Sequence, residues 1–370
     1  MAELTRRALI GSAGALSLLP AACLTRRSVA ALFQTAIVID GNLVAPIDTE
    51  QKLLSSDADQ IRRSGLTALK MTLGGGDGTH ADAAEYIAAM DRTIALNPDL
   101  FRKIASTADI IEARRTGQVG IIYSFEAASM HDGRLDSIDE FRASGVLVMG
   151  LGYNLLSPFA SGVLARESTG LTPLGHEAVE RMNRLGVTVD ISHSDEASSL
   201  AAMKASRKPV LITHAGCAAV QAHPRNKSDA QLRALAKSGG VVGIYELSYL
   251  NTSSPQPTLE DYMAHLTHAL GVCGEDHVGI GSDAIMTAFE VTPDSIKAWN
   301  EDIARRKAAG IGAPGEGPLP FVVGLNRSDR SRVIAETMDA RGFSIGVIEK
   351  VLGRNFLRVF DETWRASGAI

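Results

Sequence analysis

Eight short runs of apolar or β-branched residues recur along the chain, separated by longer stretches with helical periodicity. They fall at 36–40, 66–73, 119–126, 147–154, 187–193, 209–214, 240–246 and 277–283. The runs do not alternate cleanly between apolar and polar positions. That suits parallel strands buried on both faces, with the helical stretches between them as crossovers. Eight such units close a (β/α)₈ barrel of the α/β class. The helical stretches carry their own punctuation. Thr172-Pro173 opens one that ends before Gly186, and Ser228-Asp229 opens another that ends before Gly239-Gly240. These are capping residues at helix starts and glycine just past helix ends. The segment 344–364 is expected to be a terminal helix that covers the barrel.

Length and composition narrow the picture further. A chain of 370 residues that is 45% hydrophobic can bury one large barrel core without a second domain. No low-complexity segment or linker divides residues 31–370, although 310–320 reads as a loop. The net charge of -5 comes from mixed acids and bases. Without a basic stripe to neutralise phosphates, nucleic acid is not expected as a partner.

The first thirty residues are a separate matter. Arg6-Arg7 precede a mildly apolar run to Leu19 that is too short for a permanent membrane span. The pair and the run resemble a bacterial twin-arginine export signal, with Ser28-Val29-Ala30 as a small-residue cleavage site and a mature start near Ala31. The expected organisation is therefore an export signal over 1–30 and one barrel over 31–370, in an exported, periplasmic protein. A lipid anchor at Cys23 is disfavoured, because Pro20 sits where a processing site carries an aliphatic residue. Cys217 and Cys273 then remain, without Cys-x-x-Cys spacing. This excludes a disulfide framework or zinc knuckle and leaves one disulfide open.

In such a barrel the chemistry lies at the C-terminal ends of the strands. Here the runs end in Glu126, in Tyr153-Asn154, in His193, in His214, in Tyr245-Glu246 and in Asp283. A single histidine after a strand is commonly a structural residue, but four reactive groups at equivalent positions are not independent accidents. Two imidazoles and a carboxylate make a three-ligand set of the kind that catalytic zinc sites use, with a further position open for water. Asp283 is a candidate general base that would later pass its proton to a leaving amine. His265 and His268, three apart on a helical stretch, read as packing or surface residues. Cys217 reads as a small packing residue, and nothing assigns His80 or His131 to the site.

Longer motifs carry a family resemblance. Asp190-Ile191-Ser192-His193, Pro209-Val210-Leu211-Ile212-Thr213-His214, Pro224-Arg225-Asn226-Lys227-Ser228-Asp229 and His277-Val278-Gly279-Ile280-Gly281-Ser282-Asp283 follow one another in the order seen in membrane (renal) dipeptidases, peptidase family M19 of the amidohydrolase superfamily. Gly170-Leu171-Thr172-Pro173 and Leu352-Gly353-Arg354-Asn355-Phe356 extend the likeness across most of 36–366. The resemblance implies an amidohydrolase barrel, zinc, and hydrolysis of dipeptides, including those with a D-residue on the C-terminal side. It makes Glu126 a carboxylate bridging two zinc ions, His193 and His214 ligands of the second zinc, and Asp283 the acid/base. Arg225, with Asn226 beside it, becomes the grip on the substrate carboxylate, through two parallel hydrogen bonds. Tyr153 stands where many members have a substrate-polarising histidine and can donate to an oxyanion.

Strand one departs from the pattern. Where relatives read Asp-Gly-His-Asn-Asp, this chain reads Asp40-Gly41-Asn42-Leu43-Val44. Valine cannot bind a metal, and a neutral amide is a poor zinc ligand. Asp40 should point the wrong way to substitute, because neighbouring side chains on a strand alternate. The expectation is one zinc ion, or two if an unidentified residue replaces Asn42 and Val44. The substrate would be a small molecule, a dipeptide or an N-acyl amino acid, and a homodimer is compatible with the sequence. The rival reading is a catalytically inactive or repurposed binding protein on the same barrel. For export, replacement of Arg6 and Arg7 by lysine is expected to keep the protein in the cytoplasm; undiminished appearance outside it, measured by fractionation, would refute the signal.

Overall fold

A computed structural model describes residues 28–365. Eight strands form a closed parallel barrel in the order β3-β1-β10-β9-β8-β7-β6-β5, with β5 returning to β3. They are β1 (Ile39–Asp40), β3 (Ala68–Thr72), β5 (Val119–Phe125), β6 (Val148–Gly150), β7 (Thr188–Asp190), β8 (Leu211–Ala215), β9 (Val241–Ile244) and β10 (Val278–Ile280). Each lies within an expected run or, for β8, extends it by one residue. Three further short strands were not foreseen. β4 (Phe101–Lys103) lines the first half of β5, and β2 (Leu43–Val44) pairs with β11 (Ala284–Ile285) as a parallel step on the rim.

Strands are shorter than the runs because their last residues turn out of the ladder onto the rim. Glu126, Tyr153, Asn154, His193 and Asp283 all lie just beyond a strand end. His214 is the exception. It sits within β8, where the pairing with β9 shifts register between Ile212 and Ala215. Such an irregularity bends the strand locally and re-aims a side chain.

The barrel interior is layered. Its lower part is filled by Ile39, Ala68, Ile122, Val148, Leu211 and Val241 packed with Phe356 and Phe360. One residue pair further along the strands, the inward positions turn polar and carry Lys70, Ser124, Asp190 and Thr213, all buried. Alternation along each strand sends the intervening residues, such as Leu69, Met71, Ile121, Val189 and Ile212, into the outer core beneath the helices. Gly243 and Gly281 let three strands close at this level, since a Cβ on either would lie 2.2 or 1.9 Å from the Thr213 carbonyl oxygen.

The expected helix starts hold. Thr172 caps Pro173–Leu185, which stops at Gly186 in the left-handed region, and Ser228 with Gln231 makes a capping box on Asp229–Lys237. The terminal segment does cover the barrel, at its N-terminal end, but as two helices, Ile345–Glu349 and Asn355–Thr363, joined by a kink at Gly353. Thr363 Oγ1 meets Thr188 Oγ1 of β7 at 2.6 Å. The helix Pro293–Ala308 buries none of its residues in the core and runs beside the loop 310–320.

Most of the expected export signal, residues 1–27, lies outside the described residues, as does Cys23. Ser28 caps the helix Val29–Phe33, in which Val29 is buried, so a mature start near Ala31 would remove that cap and the first helical turn's anchor. Among the described residues, no helix is long and apolar enough to cross a membrane. Cys217 and Cys273 are both free and buried, and do not form the disulfide left open by the sequence.

Candidate active site

At the C-terminal mouth of the barrel, Glu126, His193 and His214 each present one ligand atom, all within 4.8 Å of one another. His193 Nε2 and His214 Nε2 are 3.0 Å apart, and Glu126 Oε2 lies 3.5 and 3.8 Å from them. The other nitrogen of each ring is already committed. Asn154 Oδ1 stands 2.9 Å from His193 Nδ1, and the Asn154 amide nitrogen donates to the Ile311 carbonyl, so its oxygen is free to accept from the imidazole. Thr213 Oγ1 stands 2.9 Å from His214 Nδ1 and donates its own proton to Asp190 Oδ2 at 2.6 Å, so it too must accept. Both Nδ1 atoms therefore carry the proton, and both Nε2 lone pairs point at the same spot.

Burial pushes both imidazoles well below the ordinary histidine range, and the Arg225 charge adds to it. Two neutral lone pairs and a carboxylate facing one another without a proton to share would repel unless a cation lies between them. Partner groups on the far nitrogens are how metal-binding histidines are held in one tautomer. The residues present fit a divalent metal.

Asp283 closes the site from the β10 side, with Oδ2 4.0 Å from His214 Nε2. It is a non-glycine residue in the left-handed region, at φ 53, held there by its N–H donating to the Asn42 carbonyl at 2.7 Å. A backbone strained in this way persists only where its surroundings fix it. Burial, then repulsion from Glu126, pushes its carboxyl up to about 6, with Arg225 and Lys70 pulling the other way. Glu126 is likewise raised by burial.

A cavity of about 290 Å³ opens above these groups. Arg225 lines it. This side chain is buried, its Nη1 donates to the Ser192 carbonyl at 2.7 Å, and its Nη2 has no partner. Tyr153 also lines it, stacked on the His193 ring at 4.1 Å between centroids. The opposite wall comes from Leu247, Tyr249, Phe289, Trp299 and Pro318–Pro320, a largely apolar surface.

Of the residues singled out from sequence, Glu126, Tyr153, His193, Arg225 and Asp283 come together around the cavity, with His214 beneath them. Asn226 does not enter it. Its amide nitrogen donates to the Gln221 and Tyr249 carbonyls at 2.7 and 3.0 Å and its oxygen accepts from the Tyr245 hydroxyl, so the substrate contact expected of it is replaced by bracing of the Arg225 loop. Glu246 is buried on the other side of the barrel wall, 3.6 Å from Arg330. Asp40 points away from the site, as expected: it shares the outer register of Leu69 and Ile280 and accepts from Ser282 and from the Asn42 N–H. His265 is a satisfied core histidine between the Cys217 N–H and the Leu250 carbonyl, and His268 pairs with Asp229.

Two cations escaped the sequence reading. Arg306, from the helix Pro293–Ala308, donates to the Tyr153 hydroxyl at 3.0 Å and to Glu316 at 2.7 Å. An arginine on an otherwise polar helix gives no signal of this. Lys70 lies inside the barrel and donates to Asn42 Oδ1 at 2.9 Å, and here there was a signal, because a lysine in the middle of an apolar run is rarely buried without a partner.

The sequence profile of the membrane dipeptidase family (peptidase family M19) matches residues 26–302. The chain belongs to this family. It is accordingly a hydrolase of the metallo-dipeptidase type, on the barrel shared by its structural neighbours. A Schizosaccharomyces pombe protein described as an uncharacterized dipeptidase is 31% identical over 233 residues, 60% of this chain and 54% of that protein. An amidohydrolase from Pseudomonas aeruginosa is 30% identical with a TM-score of 0.78, covering 91% of this chain and 99% of the other. A Rhodobacter sphaeroides metallo peptidase, liganded with a phosphinate mimic of the dipeptide L-Ala-D-Ala, shares the fold at 20% identity and a TM-score of 0.71, covering 89% of this chain and all of its own.

If Asp283 is the group that accepts a proton in turnover, it must be ionised to do so, and because its carboxyl is raised rather than lowered, activity should fall as pH drops through about 6. A bound cation would shift that limb further to the acid side. The pH profile of kcat/KM reads it directly, and a limb centred above neutrality, or activity rising with acidity, would take the proton-accepting role away from Asp283.

Proposed function

We propose that this chain hydrolyses the amide bond of a dipeptide or N-acyl amino acid bearing a free carboxylate, with a single zinc ion held by Glu126, His193 and His214. The observation that carries the reading is the pair of Nε2 lone pairs 3.0 Å apart beside a part-buried carboxylate. A His₂Glu set is sufficient for peptide hydrolysis in other metalloenzymes. Strand one offers Asn42 and Val44 and adds no ligand to this set. Zinc held by Glu126, His193 and His214 would supply Lewis acidity at this position.

The chain's own groups do the rest. Arg225 receives the substrate carboxylate, for which its unpartnered Nη2 is poised, while Nη1 stays anchored on Ser192. Tyr153 accepts from Arg306, which leaves its own O–H free to donate to the carbonyl oxygen as negative charge develops there. Burial raises the phenol's pKa, so that proton is retained at working pH. Asp283 takes the proton of the attacking water and delivers it to the leaving amine. Tolerance of a D-residue on the C-terminal side is part of the same proposal and is supported by the dipeptide mimic bound to the Rhodobacter sphaeroides relative. Residues 1–30 would direct export of the folded protein by the twin-arginine route.

His193→Ala and His214→Ala should each lose both metal and turnover, whereas Asp283→Asn should keep the metal and lose turnover. Elemental analysis alongside dipeptide and N-acyl substrate assays distinguishes these outcomes, and full metal occupancy in His214→Ala would refute the ligand set. Arg225→Ala should weaken substrates with a free carboxylate far more than their amides, by about 2 to 5 kcal/mol for a desolvated charge pair. Equal losses for acid and amide, compared through kcat/KM, would assign Arg225 to structure alone.

A further inference from the structure

Lys70 is fully buried, and the proposed reaction gives it no step. Its ammonium lies 2.9 Å from Asn42 Oδ1, 3.3 Å from Thr72 Oγ1 and 3.6 Å from Asp190 Oδ2. The Asn42 amide nitrogen in turn donates to Asp283 Oδ1 at 2.7 Å. The orientation of this amide is fixed by its neighbours, because an ammonium can only donate and an ionised carboxylate can only accept. The two oxygens of Asp283 are thereby divided. Oδ1 rests on Asn42, and Oδ2 faces His214 and the ligand set.

On this side of the pocket the buried ammonium lies 3.6 Å from Asp190 Oδ2 and is joined to Asp283 through Asn42, and its charge also favours the ionised form of Glu126. Carboxylates out of water need a compensating cation, and the chain provides one covalently. We propose that Lys70, acting through Asn42, is a built-in substitute for a second metal ion: it holds Asp283 in register with the ligand set and keeps divalent ions out of the strand-one side of the pocket. Like charge at close range in a low-dielectric interior opposes entry of another cation. Lys70 and Asn42 are on this account positioning residues. The inference rests on the proposed single-metal reading and extends it by naming what occupies the other half of the site.

The test compares four proteins: the unaltered chain, Lys70→Met, Asn42→His with Val44→Asp, and the triple variant. Each is loaded with zinc, desalted and assayed for metal per chain, with folding checked by circular dichroism. The unaltered chain and the double variant should each hold about one ion, and the triple variant about two, because only there are ligands supplied and the ammonium removed. Lys70→Met alone should lower kcat roughly tenfold or more while KM changes less than about threefold, as expected for a group that orients the base rather than binds substrate. Two ions in the double variant, one ion in a folded triple variant, or an unchanged kcat in folded Lys70→Met would each overturn the proposal. If variants lacking Lys70 do not fold, the double variant still decides, since it keeps the lysine: one ion supports exclusion and two refute it. Failure of the underlying metal reading looks different, because the unaltered chain would then hold no zinc at all.

Discussion

The carboxylate of Asp190, buried at the end of β7, is the point on which the site is assembled. One oxygen accepts from the Ser192 N–H and hydroxyl, and the other from the Thr213 hydroxyl, with the Lys70 ammonium 3.6 Å away. Thr213, its proton spent on Asp190, must accept from His214 and so turns that ring's lone pair to the mouth of the barrel. Ser192 precedes His193, and its carbonyl anchors Arg225. One buried acid therefore fixes the His214 ring, the backbone before His193 and the Arg225 side chain. The cost of leaving such a charge without partners, about 3 to 5 kcal/mol for a broken buried pair, explains why the surrounding donors are so fully committed.

The same economy of donors governs the mouth. Each imidazole is held by a group whose own hydrogen-bonding capacity is exhausted elsewhere, Asn154 by the Ile311 carbonyl and Thr213 by Asp190. The tautomers are thus decided outside the site. What remains inside is a set of unprotonated bases and carboxylates, which is a poor arrangement for a structural core and a good one for a Lewis acid.

Above the ligand set the pocket is made by segments that contribute little to the core. The helix Pro293–Ala308 brings Trp299 and Arg306, the loop after it brings Glu316 and Pro318–Pro320, and Arg306 ties the two together through Glu316 while touching Tyr153. A rigid barrel rim thus supplies the chemistry, and a peripheral cover supplies the walls that a substrate side chain would meet.

The barrel, its eight strands, the helix caps and the convergence of Glu126, His193, His214 and Asp283 were legible in the residues, because strand burial and helix capping are local and every strand of such a barrel ends at the same rim, whereas Arg225 was legible only through the family resemblance. The sequence by itself also determined that Asn42 and Val44 cannot bind metal as a histidine and an aspartate would. Which polar groups point at each other across that rim depended on how the strands close. Asn226 and Glu246 look like site residues by position, yet one is consumed in bracing a loop and the other faces Arg330 behind the wall. Lys70 reads as a polar interruption of an apolar strand until closure of the barrel sets it against Asn42, 28 residues away, and Asn42 against Asp283, 241 residues away. Hydrogen bonds and charge balance of this kind depend on distances between strands far apart in the chain, and no local pattern of residues encodes them.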